Sequence, residues 1–88
     1  MNDSSDWYVY ILECIDNSLY TGVTTDLERR VQEHNESSKG ARYTRPRRPV
    51  RLVYYETVTS RSEACKRESA LKKLTATNKR VLIKTAMK

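Results

Sequence analysis

The stretch WYVYILECIDNSLYTG, residues 7–22, places Tyr8, Tyr10 and Tyr20 beside Trp7 in a chain with six tyrosines and no phenylalanine. Leu, Ile and Val build a core without a hydroxyl that needs a partner. Phenols clustered here raise the question of what their hydroxyls are for; on residue type alone they read as amphipathic packing residues at the rim of a sheet. Three further residue types could join them in chemistry. Arg29 and Arg30 are adjacent, His34 is the single histidine, and Glu68 lies in a later polar segment. A guanidinium is a rigid fork for phosphate oxygens. An imidazole titrates near neutrality. A carboxylate can hold a hard divalent cation.

A second group carries charge. Between Glu36 and Glu56 there is no acidic residue, and residues 39–51 hold Lys39, Arg42, Arg45, Arg47, Arg48 and Arg51 with Tyr43 set among them. Arginines grip phosphate, and an interleaved aromatic can stack a base. Pro46, Pro49 and Gly40 shape the segment. The alternative is a solvated loop held open by repulsion; the pattern favours a phosphate-binding surface of Lys39, Arg42, Tyr43, Arg45, Arg47 and Arg48.

The whole chain agrees with a polyanionic partner. Its 88 residues carry 17 Lys+Arg against 11 Asp+Glu, a formal charge of +6. Nucleic acid comes first and an anionic membrane second. No apolar run approaches the roughly 20 residues of a spanning helix. The start, MNDSSD, is acidic and polar, unlike a signal peptide. Cys14 and Cys65 form no metal or redox motif and read as reduced, small apolar residues. A cytoplasmic, monomeric protein without membrane association is expected. The N-terminal end is expected to be disordered at 1–6, and the length implies one domain at 7–88 with at most two packed layers.

These residues must be positioned by few elements. Residues 7–15 are β-branched and aromatic on both parities, which predicts a central strand covered on both faces. Asp16-Asn17-Ser18 is turn chemistry, and 19–23 return as a second strand. Thr25-x-x-Glu28 fits a capping box that opens a helix to Asn35. Residues 50–57 read as a third strand. Ser60-x-x-Glu63 caps a second helix to about Leu74, and 78–87 read as a last one. The order β-β-α-β-α-α describes an α+β fold, a small three-stranded antiparallel sheet flanked by helices.

Helical spacing then sorts the candidates. At about 100° per residue, His34 shares the apolar face of Leu27 and Val31, Arg30 lies at its edge, and Arg29 faces solvent. A lone histidine on such a face is satisfied in the core or is catalytic. Glu68 falls inside the apolar arc of Ala64 and Leu71, where a carboxylate is costly unless it is paired with a cation or coordinates one. Tyr10 and Tyr20 share a sheet face only for one parity of register. A two-residue turn at Asp16-Asn17 separates them; an odd loop or a bulge brings them together.

With these residues in hand, the chain resembles the GIY-YIG nuclease domain over residues 7–85, and most of all the small free-standing bacterial proteins that consist of this domain alone. Tyr8-Val9-Tyr10 stands for the first element and Tyr20-Thr21-Gly22 for the second. Thr25-x-Leu27-x-x-Arg30-x-x-x-His34 matches the next element, and Glu68 stands for the metal-binding glutamate. GARYTRPRRPV resembles the equivalent stretch of the small subfamily. Tyr8 replaces the family's glycine, and Ser69 replaces its frequent asparagine. The resemblance implies a metal-dependent endonuclease acting on nucleic acid, DNA in the first place, with links to repair or recombination. It implies catalytic roles for Tyr10, Tyr20, Arg30, His34 and Glu68. A single Mg²⁺ (or Mn²⁺) would be held by Glu68. The competing reading is a nucleic-acid-binding module of the same fold with little or no activity.

Overall fold

The computed structural model describes residues 6–86. The strands are β1 (Trp7–Glu13), β2 (Leu19–Thr24) and β3 (Arg51–Val58). The helices are α1 (Leu27–Glu36), α2 (Arg61–Lys72) and α3 (Ala76–Ala86), and a 3₁₀ turn spans Arg45–Arg47. The sheet is antiparallel in the order β2-β1-β3, the expected α+β architecture with β1 at its centre. Apart from Asp6, which is exposed, the segment expected to be disordered lies outside the described residues.

The expectation of two layers is corrected to three. Val9, Ile11 and their parity pack against Ala64, Leu71 and Ile83 of α2 and α3. Tyr10 and Leu12 pack on the opposite face with Cys14, Val50, Tyr20, Leu27 and Val31. A strand apolar on both parities needs cover on both sides, and α1 with the loop that follows it supplies the second. Each core is one side chain deep, so truncating Leu71, which is 2% exposed, would cost about 2–5 kcal/mol.

The hairpin settles the face of the tyrosines. Glu13 pairs with Leu19, so residues 14–18 form an odd connection, and Tyr10 falls opposite Gly22 and Leu12 opposite Tyr20. The turn closes through Cys14 N–H to Ser18 O (2.9 Å) and Asn17 N–H to Cys14 O (2.9 Å). Asn17 takes φ 69°, a left-handed conformation that asparagine tolerates.

Two helix starts differ in detail. α1 is capped by Asp26, whose Oδ1 accepts from Arg29 N–H (3.1 Å), one residue beyond the expected Thr25. Thr24 Oγ1 accepts from Asp26 N–H and so holds the cap in place. Ser60 caps α2 as expected, but Glu63 reaches back to Thr59 rather than to Ser60. α2 ends at Lys72, and Thr75 Oγ1 accepts from Asn78 N–H, so α3 begins at Ala76, two residues early. Cys14 is buried, whereas Cys65 is exposed, contrary to its reading as a packing residue. Among the described residues no helix is long and apolar enough to cross a membrane.

Candidate active site

β1 and β2 bring Tyr10 and Tyr20 together with ring centroids 6.5 Å apart. Gly22, across from Tyr10, makes this possible. A Cβ there would stand 2.5 Å from Tyr10 Oη and 2.7 Å from Cζ. Its φ is not positive, so the glycine is required by close approach alone. Tyr10 is 1% exposed, and its pKa is pushed up to about 12, chiefly by burial. Arg30 pulls it back down, while Tyr20 and Glu68 add to the rise.

α1 delivers His34 to the same place, 0% exposed. Its Nε2 lies 2.9 Å from Tyr10 Oη and its Nδ1 2.8 Å from Thr44 Oγ1. Burial first, then the charge of Arg30, lowers its pKa to about 4, so the imidazole is neutral at physiological pH. The ring stands edge-on to both tyrosines, with centroids 5.9 Å from Tyr10 and 5.2 Å from Tyr20.

Arg30 is partly exposed. Its Nη1 donates to Glu33 Oε1 (2.9 Å) and to Lys39 O (2.9 Å). These bonds lean the guanidinium over the tyrosine side of the sheet, whereas Arg29 projects outward with its side chain 63% exposed. Two bonded partners still leave other donors of the fork for a ligand.

Glu68 comes from the other layer, on α2. The rotation of α2 is fixed next to it, where Arg67 donates from two nitrogens to the Glu56 carboxylate of β3, each at 2.7 Å. Glu68 is 24% exposed and pairs with Lys72 at 3.1 Å. Its charge reaches Tyr10, since it contributes to the raised phenol pKa. Among the described residues no three His, Cys, Asp or Glu cluster as metal ligands. A lone accessible carboxylate fits Mg²⁺, which keeps most of its waters and takes one or two protein carboxylates with substrate phosphate oxygens; it does not fit zinc.

The basic loop is less free than its composition suggests. Arg48 is partly buried and donates to the backbone carbonyls of His34, Glu33 and Ser37 at the C-terminus of α1. Arg45 donates to Ser38 O (2.9 Å). Arg47 pairs with Asp16 (3.1 Å), donates to Tyr43 O (2.7 Å) and lies 4.0 Å from the Tyr43 ring centre. These three arginines hold the loop against α1 and the hairpin. Lys39 and Arg42 make no ion pair among the described residues. Tyr43 stacks near Tyr20, centroids 6.0 Å apart, and the two line an open cavity of about 250 Å³ with Leu19, Thr21, Lys72 and Lys79.

Thus Tyr10, Tyr20, Arg30 and His34 converge, with Glu68 within electrostatic reach. Sequence reasoning gave no role to Gly22, Thr44, Lys72 or Lys79. Thr44 is fully buried in a basic loop, and no local pattern signals that. For Gly22 the signal was present: a glycine in a strand marks a close approach.

A family model described as the GIY-YIG catalytic domain matches residues 6–81. A UPF0213 protein of Desulfotalea psychrophila is 59% identical over 86 residues, covering 98% of this chain and 78% of its own. One from Syntrophus aciditrophicus is 54% identical over 77 residues, covering 88% of each chain. Among solved structures, a UPF0213 protein of Bacillus halodurans is similar with TM-score 0.58 and 48% identity, over 91% of this chain and 84% of that one. A protein of E. faecalis gives TM-score 0.65 and 46% identity, over 99% and 92%. The matched span takes in all three strands, α1, α2 and the start of α3, and the chain belongs to the GIY-YIG catalytic domain family.

Proposed function

We propose that the protein is a metal-dependent nuclease that hydrolyses phosphodiester bonds in nucleic acid, DNA in the first place, as a cytoplasmic monomer. The observation that carries this is the 2.9 Å contact between Tyr10 Oη and His34 Nε2, with Arg30 and Glu68 both close enough to act on Tyr10 ionisation. A phenol held near pKa 12 stays protonated alone. Paired with a neutral imidazole it has somewhere to send its proton. As attacking water gives a proton to Tyr10 Oη, Tyr10 passes its own to His34 Nε2, and the imidazolium forms inside the protein. An incoming phosphate offsets the charge of Arg30, which otherwise holds His34 pKa down, and so makes the imidazole a better acceptor. Arg30 meets the charge that develops on the phosphoryl oxygens. Tyr20, edge-on to His34, orients it. A single Mg²⁺ or Mn²⁺ would be held by Glu68; when bound it supplies charge withdrawal from the phosphate and stabilisation of the leaving oxygen. Tyr43, Lys72 and Lys79, which line the cavity beside Tyr20, would serve with Lys39 and Arg42 of the loop as contacts for the nucleic-acid backbone. Arg45, Arg47 and Arg48 act on binding mainly by holding the loop in shape.

One observation favours a second reading, a binding module that cuts poorly: Glu68 already has a cation, Lys72, at 3.1 Å. Purified protein with Mg²⁺ or Mn²⁺ and a panel of labelled duplex, branched, flapped and single-stranded DNA and RNA separates the two. Metal-dependent cleavage of any member supports the nuclease. Tight binding without cleavage of any member supports the module.

A further inference from the structure

Thr44 lies outside the family's catalytic set and makes no contact with solvent. Its hydroxyl has one proton. Oγ1 is 3.0 Å from Ala41 O, an atom that can only accept, so the Thr44 proton goes there. The same Oγ1 is 2.8 Å from His34 Nδ1. With its proton committed, Oγ1 must accept, and Nδ1 must carry the hydrogen. The imidazole is neutral, so Nε2 is bare and accepts from Tyr10 O–H at 2.9 Å. One polarity thus runs through the chain of short contacts from Tyr10 to Ala41 O. The opposite tautomer would reverse both bonds to the ring and break the bond from the Thr44 hydroxyl to Ala41 O. It would gain only a 3.4 Å contact from Ala41 N–H to Nδ1.

The loop around Thr44 is built to hold it there. Ala41 O also accepts the backbone N–H of Thr44 and of Arg45, both at 3.1 Å. Gly40 packs against α1 so tightly that a Cβ would stand 2.9 Å from His34 Cα. Arg48 ties the loop to the carbonyl of His34 itself. Helix and loop therefore cannot shift independently at this point.

We infer that Thr44 is a positioning residue: it holds His34 in the Nδ1–H tautomer, leaving Nε2 bare to take the Tyr10 proton. The catalytic half of this inference rests on the proposed nuclease reading; the tautomer half does not. His34 is the only histidine in the chain, so a long-range ¹H–¹⁵N correlation spectrum reads its tautomer without ambiguity. In the wild type the proton is expected on Nδ1. Thr44→Val keeps the shape but removes the acceptor, and should give an Nε2–H or mixed spectrum. Thr44→Ser should restore Nδ1–H. Cleavage should fall about tenfold to a hundredfold in Thr44→Val, less than the ~10²–10⁴-fold that the acid–base group itself is worth because His34 is misoriented rather than removed, and recover in Thr44→Ser. Substrate affinity should not move. A proton on Nε2 in the wild type overturns the inference, and that measurement needs neither a variant that folds nor a substrate that is cut. An Nδ1–H spectrum unchanged in folded Thr44→Val overturns it as well. A tautomer change with no change in rate overturns the catalytic half. Failure of the wild type to cut any substrate would sink the nuclease reading instead, and leave the spectra to decide what Thr44 does to His34.

Discussion

Tyr10, His34 and Thr44 form one end of the site, buried to 1% exposure or less and joined by contacts of 2.8 and 2.9 Å. Glu68 forms the other end, partly exposed and held by one lysine across one helical turn. The buried end is preorganised: burial shifts both titrating groups away from each other, the phenol up and the imidazole down. The open end is exchangeable, because a surface lysine–glutamate pair contributes little and can yield to another cation. The difference teaches how so small a chain can host chemistry. The parts that must be oriented are set into the core between α1 and the sheet. The part that, on the proposed nuclease reading, would meet a metal and a polyanion faces water.

The contrast can be broken at several points. Arg30, whose charge acts on both Tyr10 and His34, should matter most. Arg30→Ala is expected to reduce single-turnover cleavage by ~10²–10³-fold or more, with high Mn²⁺ giving no rescue. A loss below tenfold would remove Arg30 from charge stabilisation.

Titration of the buried end comes next. Unfolded, His34 binds a proton near 6.5; folded, it does so only near 4. Between these values the unfolded chain holds the extra proton, so stability from this residue is complete above about pH 6.5 and is lost as pH falls toward 4. The full span is up to about 3 kcal/mol. Chemical denaturation from pH 4 to 8 should show that slope, and His34→Gln should flatten it. A slope unchanged in His34→Gln would assign the pH dependence to the carboxylates instead.

Gly22→Ala forces a Cβ to within 2.5 Å of Tyr10 Oη. It should cost about 1–3 kcal/mol, read as a Tm lower by several degrees, and it should slow cleavage by moving Tyr10. An unchanged Tm would show that Tyr10 has room to move, contrary to the preorganised end. The smallest effect is expected at the open end. Lys72→Ala should change stability by no more than about 1 kcal/mol. It should lower the Mg²⁺ concentration needed for half-maximal cleavage, since a competing cation is gone. A raised metal requirement would mean that Lys72 helps to build the site.

Most of the scaffold was legible in residue patterns. β1 announced its central place by being apolar on both parities, and Ser60 marked the start of α2. The face of His34 and Arg30 followed from helical spacing once α1 was placed. What escaped depended on contacts that no local window contains. The parity of the hairpin was set by the length of the 14–18 connection, which turn residues alone left open. The cap of α1 moved to Asp26 because Thr24, at the end of β2, could accept its N–H. The five arginines and one lysine of residues 39–51 looked like six free charges; Arg45, Arg47 and Arg48 instead satisfy backbone carbonyls, which composition cannot reveal. Thr44 meets His34 across ten residues and His34 meets Tyr10 across 24, so the buried chain existed only after folding.

The most direct test of the nuclease reading is Glu68→Gln, compared with wild type for Mg²⁺-dependent cleavage and for binding of the same labelled DNA. Glutamine keeps the size of the side chain and removes the charge. The expected result is loss of cleavage by a folded protein whose DNA affinity is unchanged or higher, with partial rescue by high Mn²⁺. Wild-type cleavage by well-folded Glu68→Gln would contradict it, and would leave Glu68 as no more than the partner of Lys72.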